Sequence, residues 1–185
     1  MSEYNPKLTS DQLKEYEQYK ELEDKLKPLC RWVDFKDYIW AYNYLDYRGK
    51  VVLDVGGDIG SSALYFLSKG AKYVAIVEHD KVFKETYNKL KEEMPELRNT
   101  EMIEPDDMWR VNASILKMDC EGCELYMLDK NRIKDYDQFA VALHKFAMDE
   151  YFFNNKQKAL LENGGKFLGT VNNEEYMYIK SDKIL

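Results

Sequence analysis

The chain has 185 residues, a formal net charge of −7 and a hydrophobic fraction of 45%. These values are typical of one folded globular domain and exclude an intrinsically disordered chain. No apolar run approaches the roughly 18–20 residues needed to cross a bilayer, and the N-terminus lacks a secretory signal, so we expect a cytoplasmic protein without a membrane partner. Because phosphate groups are also negative, the acidic balance argues against a nucleic-acid partner.

Residues 1–48 are charged and aromatic, and we expect them to form an N-terminal helical extension that packs on the rest of the chain. Thr9 and Gln12 have the spacing of a capping box, which starts a helix at Thr9. Apolar residues at helical spacing then continue over residues 13–26. Residues 32–47 predict a second helix, whose aromatic side chains are a candidate contact surface for a homodimer.

From residue 49 onward, short β-branched runs alternate with helical segments, so we assign residues 49–185 to one α/β domain. The predicted strands cover residues 51–55, 73–77, 100–103, 115–118, 139–143, 166–170 and 176–180. The predicted helices cover residues 61–69, 80–93, 121–128 and 151–162. We expect a three-layer Rossmann-like sandwich whose mainly parallel sheet of six or seven strands closes with an antiparallel hairpin, turning at Asn172-Asn173.

The strongest motif is a glycine-rich loop, Val-Gly-Gly-Asp-Ile-Gly at residues 55–60, between the first strand and the helix that follows it. Gly56 and Gly57 allow a tight turn and a close approach of the backbone to a ligand. Gly60 begins a helix whose free N–H groups favour a carboxylate or a phosphate. The dinucleotide fingerprint G-x-G-x-x-G fails, because its first glycine position is Val55.

The pattern Asp54-x-Gly56-x-x-x-Gly60 resembles motif I of class I S-adenosylmethionine-dependent methyltransferases. This resemblance implies S-adenosyl-L-methionine as cofactor, with Asp54 near its ammonium group and the start of the helix near its carboxylate. Glu78, at the end of the second strand, can accept hydrogen bonds from both ribose hydroxyls. The simpler alternatives are a solvated acid at Glu78 and an Asp54 bonded to nearby backbone N–H groups; His79 is a candidate for the adenine pocket.

A second motif, Lys-Met-Asp-Cys-Glu-Gly-Cys-Glu at residues 117–124, resembles the hallmark of the FkbM family of methyltransferases. The matching residues are Lys117, Asp119, Glu121, Gly122 and Glu124. The resemblance implies methyl transfer to an oxygen of a sugar or other small molecule, with Asp119 orienting or deprotonating the acceptor hydroxyl. It also assigns Lys117, Glu121 and Glu124 to substrate binding, although the two glutamates are equally expected to favour a helix N-terminus.

Two features depart from that family. The family carries E-x-H at the end of the fifth strand, whereas this chain has Ala142-Leu143-His144. His144 therefore stays a candidate catalytic base or substrate contact, with a packed or surface histidine as the alternative. The segment 95–114 is short, so a helix that often covers the adenine is expected to be absent, which leaves Asp106 or Trp109 to contact the base.

Other functions stay open at this point. The acid missing before His144 leaves a catalytically inactive binding protein with the methyltransferase fold as the alternative. Cys120 and Cys123 form a C-x-x-C pair typical of redox proteins, but every proline lies upstream of it, so an incidental pair or a stabilising disulfide is favoured. A zinc site would have to combine this pair with Cys30, His79 or His144 at unsuitable spacing, and no metal is expected.

Overall fold

A single sheet of seven strands carries the fold, in the order β3-β2-β1-β4-β5-β7-β6. The computed structural model describes residues 8–171 and 174–183. The strands are β1 (Val51–Val55), β2 (Tyr73–Val77), β3 (Thr100–Ile103), β4 (Ile115–Met118), β5 (Gln138–His144), β6 (Lys166–Val171) and β7 (Glu175–Lys180). The predicted α/β class is confirmed, with seven strands rather than six; the turn predicted at Asn172-Asn173 lies outside the described residues.

The register of the central strands decides where the functional residues lie. The first five strands are mutually parallel, and β7 runs antiparallel between β5 and β6. Val55 lies beside Val77 of β2 and Met118 of β4. The residues that follow these three, Gly56, Glu78 and Asp119, therefore emerge together at one edge of the sheet.

Seven α-helices accompany the sheet in the described residues. They are α1 (Ser10–Tyr16), α2 (Lys20–Leu26), α3 (Phe35–Tyr42), α4 (Ser61–Ser68), α5 (Lys81–Glu93), α6 (Glu124–Met127) and α7 (Glu150–Glu162). The predicted capping box is present, since Thr9 and Gln12 exchange side-chain to backbone hydrogen bonds. Within the described residues, none of these helices is both long and apolar enough to cross a bilayer.

The helix predicted through residues 13–26 is interrupted between α1 and α2. Tyr19 lies at the break, where its ring stacks on Phe35 at 5.0 Å and its hydroxyl hydrogen-bonds Ser68 at 2.6 Å. These tertiary contacts override the helical periodicity. The second N-terminal helix is also shorter than predicted, because Asp34 caps α3 by accepting hydrogen bonds from two backbone N–H groups.

The helix predicted from Glu121 begins only at Glu124, so that prediction was wrong. Glu121 has φ +53° and Gly122 has φ +113°, which are left-handed conformations that a helix cannot contain. A disulfide joins Cys120 to Cys123 across these two residues. The second motif is therefore a cross-linked loop that precedes a short helix.

The N-terminal helices share one apolar cluster with the central layer. Leu26 and Phe35 are completely buried, together with Tyr65 and Phe66 of α4. A second cluster on the other face of the sheet includes Leu53 and Phe139. This packing places α3 beside the carboxyl ends of the central strands.

Candidate functional site

A cavity of about 510 Å³ opens at the carboxyl ends of β1, β2 and β4. Its volume lies in the range of pockets that hold small molecules and cofactors. Tyr38, Trp40 and Tyr42 of α3 form one side of it. Strand order reverses between β1 and β4, and this is the position where open α/β sheets bind ligands.

The glycine loop borders the cavity, but its glycines are needed mainly for packing of the chain on itself. Gly56 has φ +75°, and a Cβ there would lie 2.0 Å from the carbonyl oxygen of Asp119. A Cβ on Gly57 would lie 2.6 Å from Cγ2 of Ile76, and Gly60 has φ +88°. Gly56 lines the cavity, whereas Gly57 and Gly60 are buried behind it.

Asp54 is completely buried and does not line the cavity. Nζ of Lys117 lies 3.0 Å from Oδ1 of Asp54 and donates to the carbonyl of Gly56 at 2.5 Å, while Ser62 donates to Oδ2 of Asp54 at 2.5 Å. Burial disfavours the charged amine, but Asp54 and other carboxylates outweigh it and raise the pKa of Lys117. Asp54 therefore contacts Lys117 and Ser62, which both line the cavity, rather than facing the cavity itself.

Glu78 is only 6% exposed and reaches the cavity wall from the end of β2. Its Oε1 accepts hydrogen bonds from the backbone N–H groups of His79 at 2.8 Å and Asp80 at 2.9 Å. These bonds fix the direction of the carboxylate, so Glu78 is not a freely solvated acid at a strand end.

The residues expected to contact an adenine are differently placed. His79 lines the cavity with an 86% exposed side chain. Asp106 and Trp109 do not line it, and Trp109 lies instead under the guanidinium of Arg132, 4.6 Å from the ring centroid. The apolar wall at this end includes Phe83 and Pro105, which belong to neither sequence motif.

Asp119 lies at the opposite end of the cavity and is held from two sides. The hydroxyl of Tyr42 donates to Oδ2 of Asp119 at 2.9 Å. Oδ1 of Asp119 lies 3.7 Å from Nε2 of His144. The structure thus brings both predicted catalytic residues together, and Tyr42 joins them from the N-terminal segment.

His144 lies just behind the cavity wall and is 1% exposed. Its Nδ1 donates a hydrogen bond to Oε1 of Glu124, which is itself completely buried. Burial alone lowers the pKa of His144, but the hydrogen bond and the charge of Glu124 raise it to about 9. Glu124 of α6 therefore places a buried carboxylate beside His144, in a chain that has no acid at Ala142, and it does not line the cavity.

Further carboxyl groups surround this end of the cavity. Glu175 lies opposite His144 in the register of β5 and β7, and burial followed by the charge of Asp119 raises its pKa to about 8. Asp37 of α3 has its pKa raised to about 8, by burial and then by Asp34. Glu121 is 61% exposed, with Oε2 lying 3.7 Å from Nε2 of His144. Glu175 could be identified only through strand pairing, and Asp37 only through the placement of α3.

The wall of the cavity is strongly acidic. Besides Lys117 and His79, it is lined by the carboxyl groups of Asp37, Asp58, Glu78, Asp80, Asp119, Glu121 and Glu175. Asp58, in the glycine loop, has its pKa raised by burial to about 6. Asp58 belongs to the glycine-rich motif, but the motif predicts no role for its side chain. Such a wall favours a cationic ligand and disfavours a polyanion.

No protein-family model matches the chain. Its fold is similar to that of precorrin-6y C5,15-methyltransferase from Geobacter metallireducens GS-15, with a TM-score of 0.57 and 13% identity over 78% of this chain and 87% of that one. Methyltransferase FkbM from Methylobacillus flagellatus KT gives a TM-score of 0.53 and 15% identity over 71% and 43%. Fibrillarin from Aeropyrum pernix, solved with natively bound S-adenosyl-L-methionine, gives 0.54 and 13% over 76% and 72%. The fold is thus that of class I methyltransferases.

Two curated proteins are related in sequence. Uncharacterized protein 158B of Sulfolobus islandicus rod-shaped virus 1 is 36% identical over 130 residues, which span 66% of this chain and 76% of that protein. Uncharacterized protein 65 of Sulfolobus islandicus filamentous virus (isolate Iceland/Hveragerdi) is 34% identical over 131 residues, which span 69% and 80%. The chain belongs to the same sequence family as 158B and protein 65.

Proposed function

We propose that this protein is an S-adenosylmethionine-dependent methyltransferase of the FkbM type, acting on a hydroxyl of a small-molecule acceptor such as a sugar. The observation that carries this proposal is the convergence of Gly56, Glu78 and Asp119 on one cavity, from the ends of three adjacent parallel strands. The acidic wall suits a cofactor that carries a sulfonium and an ammonium group. The fold of the solved methyltransferases described above supports the same assignment.

The end of the cavity beside β2 fits the adenosine part of this cofactor. Glu78 is already oriented by two backbone N–H groups, which makes it suited to accept hydrogen bonds from ribose hydroxyls. Phe83 and Pro105 offer an apolar surface for a purine.

The middle of the cavity fits the amino-acid part. Asp58 supplies a carboxyl group facing the cavity for the ammonium, and Lys117 supplies a positive charge for the carboxylate. Asp54 acts as a positioning residue, because its hydrogen bonds hold Lys117 and Ser62 against the loop.

Held in this cavity, S-adenosyl-L-methionine would supply an electrophilic methyl group to the acceptor oxygen and would leave as S-adenosylhomocysteine. Asp119 is the cavity residue suited to orient the acceptor hydroxyl and to take its proton, because Tyr42 fixes one of its oxygens and its other oxygen faces His144. Glu121 lines the cavity at the same end and is suited to contact the acceptor. Glu124 positions His144 from behind.

A catalytically inactive binding protein is less well supported. That alternative arose from the missing acid before His144, and Glu124 provides a carboxylate at that histidine from another element. The carboxyl groups around Asp119, at the end of the cavity that we assign to the acceptor (the acceptor end), disfavour a nucleic acid. They would repel its negatively charged phosphate backbone.

Isothermal titration with S-adenosylmethionine tests the cofactor site. Glu78→Gln should weaken binding about 10–100-fold, which is the range for losing hydrogen bonds to a charged group. Glu96→Gln is the matched control, because Glu96 is exposed and does not line the cavity. No heat at about 1 mM cofactor, or equal affinity of the two variants, would contradict the proposal.

Release of S-adenosylhomocysteine then tests the reaction with a panel of sugars, other hydroxylated small molecules and RNA. We expect turnover with a hydroxylated small molecule and none in the Asp119→Asn variant. Turnover only with RNA would overturn the proposed acceptor class, and cofactor binding without turnover on any substrate would favour the inactive binding protein.

A further inference from the structure

Three potential metal ligands meet beside the cavity from three different strands. Asp119 follows β4, His144 ends β5 and Glu175 begins β7, where it pairs with His144 across the antiparallel ladder. One ligand atom from each side chain lies within 4.8 Å of the other two. This spacing is compatible with a single ion drawing three ligand atoms together, since ligand atoms lie about 2.0–2.2 Å from such an ion.

The imidazole of His144 is oriented as in a metal-binding histidine. Its Nδ1 donates to Glu124, so the neutral ring has its lone pair on Nε2. Nε2 is buried and makes no hydrogen bond among the described residues. A histidine ligand commonly donates its other ring N–H to a carboxylate, and Glu124 is that carboxylate here.

The carboxyl groups around Nε2 favour a cation at this position. Oδ1 of Asp119 and Oε2 of Glu121 each lie 3.7 Å from it, which is too long for a hydrogen bond. Glu175 adds another carboxyl group at the same point. Several carboxyl oxygens therefore surround one buried ring nitrogen, and a divalent cation in place of any bound proton would satisfy them together.

We propose that Asp119, His144 and Glu175 bind a divalent transition-metal ion such as Mn²⁺ or Zn²⁺. One imidazole nitrogen and two carboxylates suit these ions better than Mg²⁺ or Ca²⁺, which prefer oxygen ligands. Three protein ligands leave coordination positions open toward the cavity. An acceptor hydroxyl bound there would become more acidic; this last role rests on the proposed function, whereas the metal site does not.

The test is titration of the full-length protein, stripped with EDTA, with MnCl₂, ZnCl₂ and MgCl₂. We expect one Mn²⁺ or Zn²⁺ per chain, bound at least about tenfold more tightly than Mg²⁺. Pulsed electron paramagnetic resonance of bound Mn²⁺ should show coupling to one imidazole nitrogen, which His144→Ala abolishes. Glu124→Gln should weaken the metal about 10–100-fold, as expected for a carboxylate behind a ligating histidine.

Glu175→Gln provides a variant that keeps the buried histidine pair, so it tests the site even if His144→Ala does not fold. It should weaken the metal at least about tenfold. Glu174→Gln is the matched control, because Glu174 is the exposed neighbour in the turn immediately before β7. Equal metal affinity in Glu175→Gln and Glu174→Gln, no nitrogen coupling, or no binding at about 1 mM metal would overturn the site.

Cofactor titration in the presence of EDTA separates this site from the proposed function. Metal binding without cofactor binding would leave the metal site standing and remove only its role toward an acceptor hydroxyl. Cofactor binding without metal binding would overturn the site and leave methyl transfer supported.

Discussion

Oε1 of Glu124 accepts the Nδ1 hydrogen bond of His144, and both side chains are almost completely buried behind the cavity. The two residues lie on different elements, α6 and β5. Because both side chains are removed from water, each depends on the other for its polar partner. This pair connects the end of β5, at the acceptor end of the cavity, to α6.

Glu124→Ala should therefore destabilise the fold strongly. Removing one member of a buried pair leaves the other without a partner, and such losses cost about 3–5 kcal/mol. The free energy of unfolding, measured with urea, checks the effect. Glu121→Ala is the control on the same loop, because its side chain is 61% exposed and its replacement should change stability by about 0.5 kcal/mol or less. Similar losses in both variants would argue against the buried pair.

Gly56 offers a test of the glycine loop. In Gly56→Ala, the new Cβ would lie 2.0 Å from the carbonyl oxygen of Asp119, so the loop or β4 must move. We expect loss of cofactor binding and a large fall in the melting temperature. Gly49→Ala has a similar φ of +68° with nothing within 4 Å, so it should cost only the backbone strain of about 1–2 kcal/mol. Equal melting temperatures would show that the close approach is not essential.

The sequence was sufficient to predict the features that depend on chain order. The strands at residues 51–55, 73–77 and 115–118 have the predicted bounds, because each is a short apolar run with clear flanking signals. Once these strands are parallel and adjacent, Glu78 and Asp119 must emerge at one edge. That part of the candidate site follows from local patterns and the rules of parallel sheets.

The remaining features depend on contacts between distant segments. Nothing local to His144 indicates that Glu124 lies beneath it or that Glu175 lies across the ladder from it. The burial of Asp54 depends on Lys117, which is 63 positions later in the chain and belongs to another strand. The two motifs identified Asp54, Lys117 and Glu124, but they could not show which of these side chains face the cavity and which lie behind it.

Asp58 predicts a pH dependence of stability. Burial raises its pKa to about 6 from the ordinary value of 3.8, so the folded state holds its proton more tightly than the unfolded state. Protonated Asp58 therefore adds to the free energy of unfolding below about pH 4, and this contribution is lost as the pH rises through about 6. Asp58→Asn should flatten stability over this window, and asparagine tolerates the φ of +48° at this position. Urea unfolding of both proteins at pH 4, 5, 6 and 7 without ligand measures it, and parallel curves would contradict the prediction.

Tyr42 tests whether α3 takes part in the reaction. Tyr42→Phe removes the hydrogen bond to Oδ2 of Asp119 and retains the buried ring. A hydrogen bond to a charged group is worth about 1.5–3 kcal/mol, so kcat/KM for the acceptor should fall about 10–100-fold. Cofactor affinity should stay unchanged, since Glu78 and Phe83 lie at the other end of the cavity. Tyr44→Phe on the same segment is the control. Equal kcat/KM in both variants would show that Tyr42 of α3 takes no part in catalysis.

A structural role and a redox role of the disulfide between Cys120 and Cys123 predict different experimental results. It closes a four-residue segment that contains the left-handed Glu121 and Gly122, and both sulfur-bearing residues line the cavity. In the chain-entropy description, so short a loop contributes about 2 kcal/mol. The Cys120→Ser/Cys123→Ser double variant should lose about that much stability and raise KM for the acceptor, because Glu121 is no longer held at the cavity. Cys30→Ser is the control, since Cys30 is a buried free thiol outside the disulfide.

A disulfide-reductase assay of the wild type should show no turnover. Sustained turnover that disappears in the double variant would instead support a C-x-x-C redox protein.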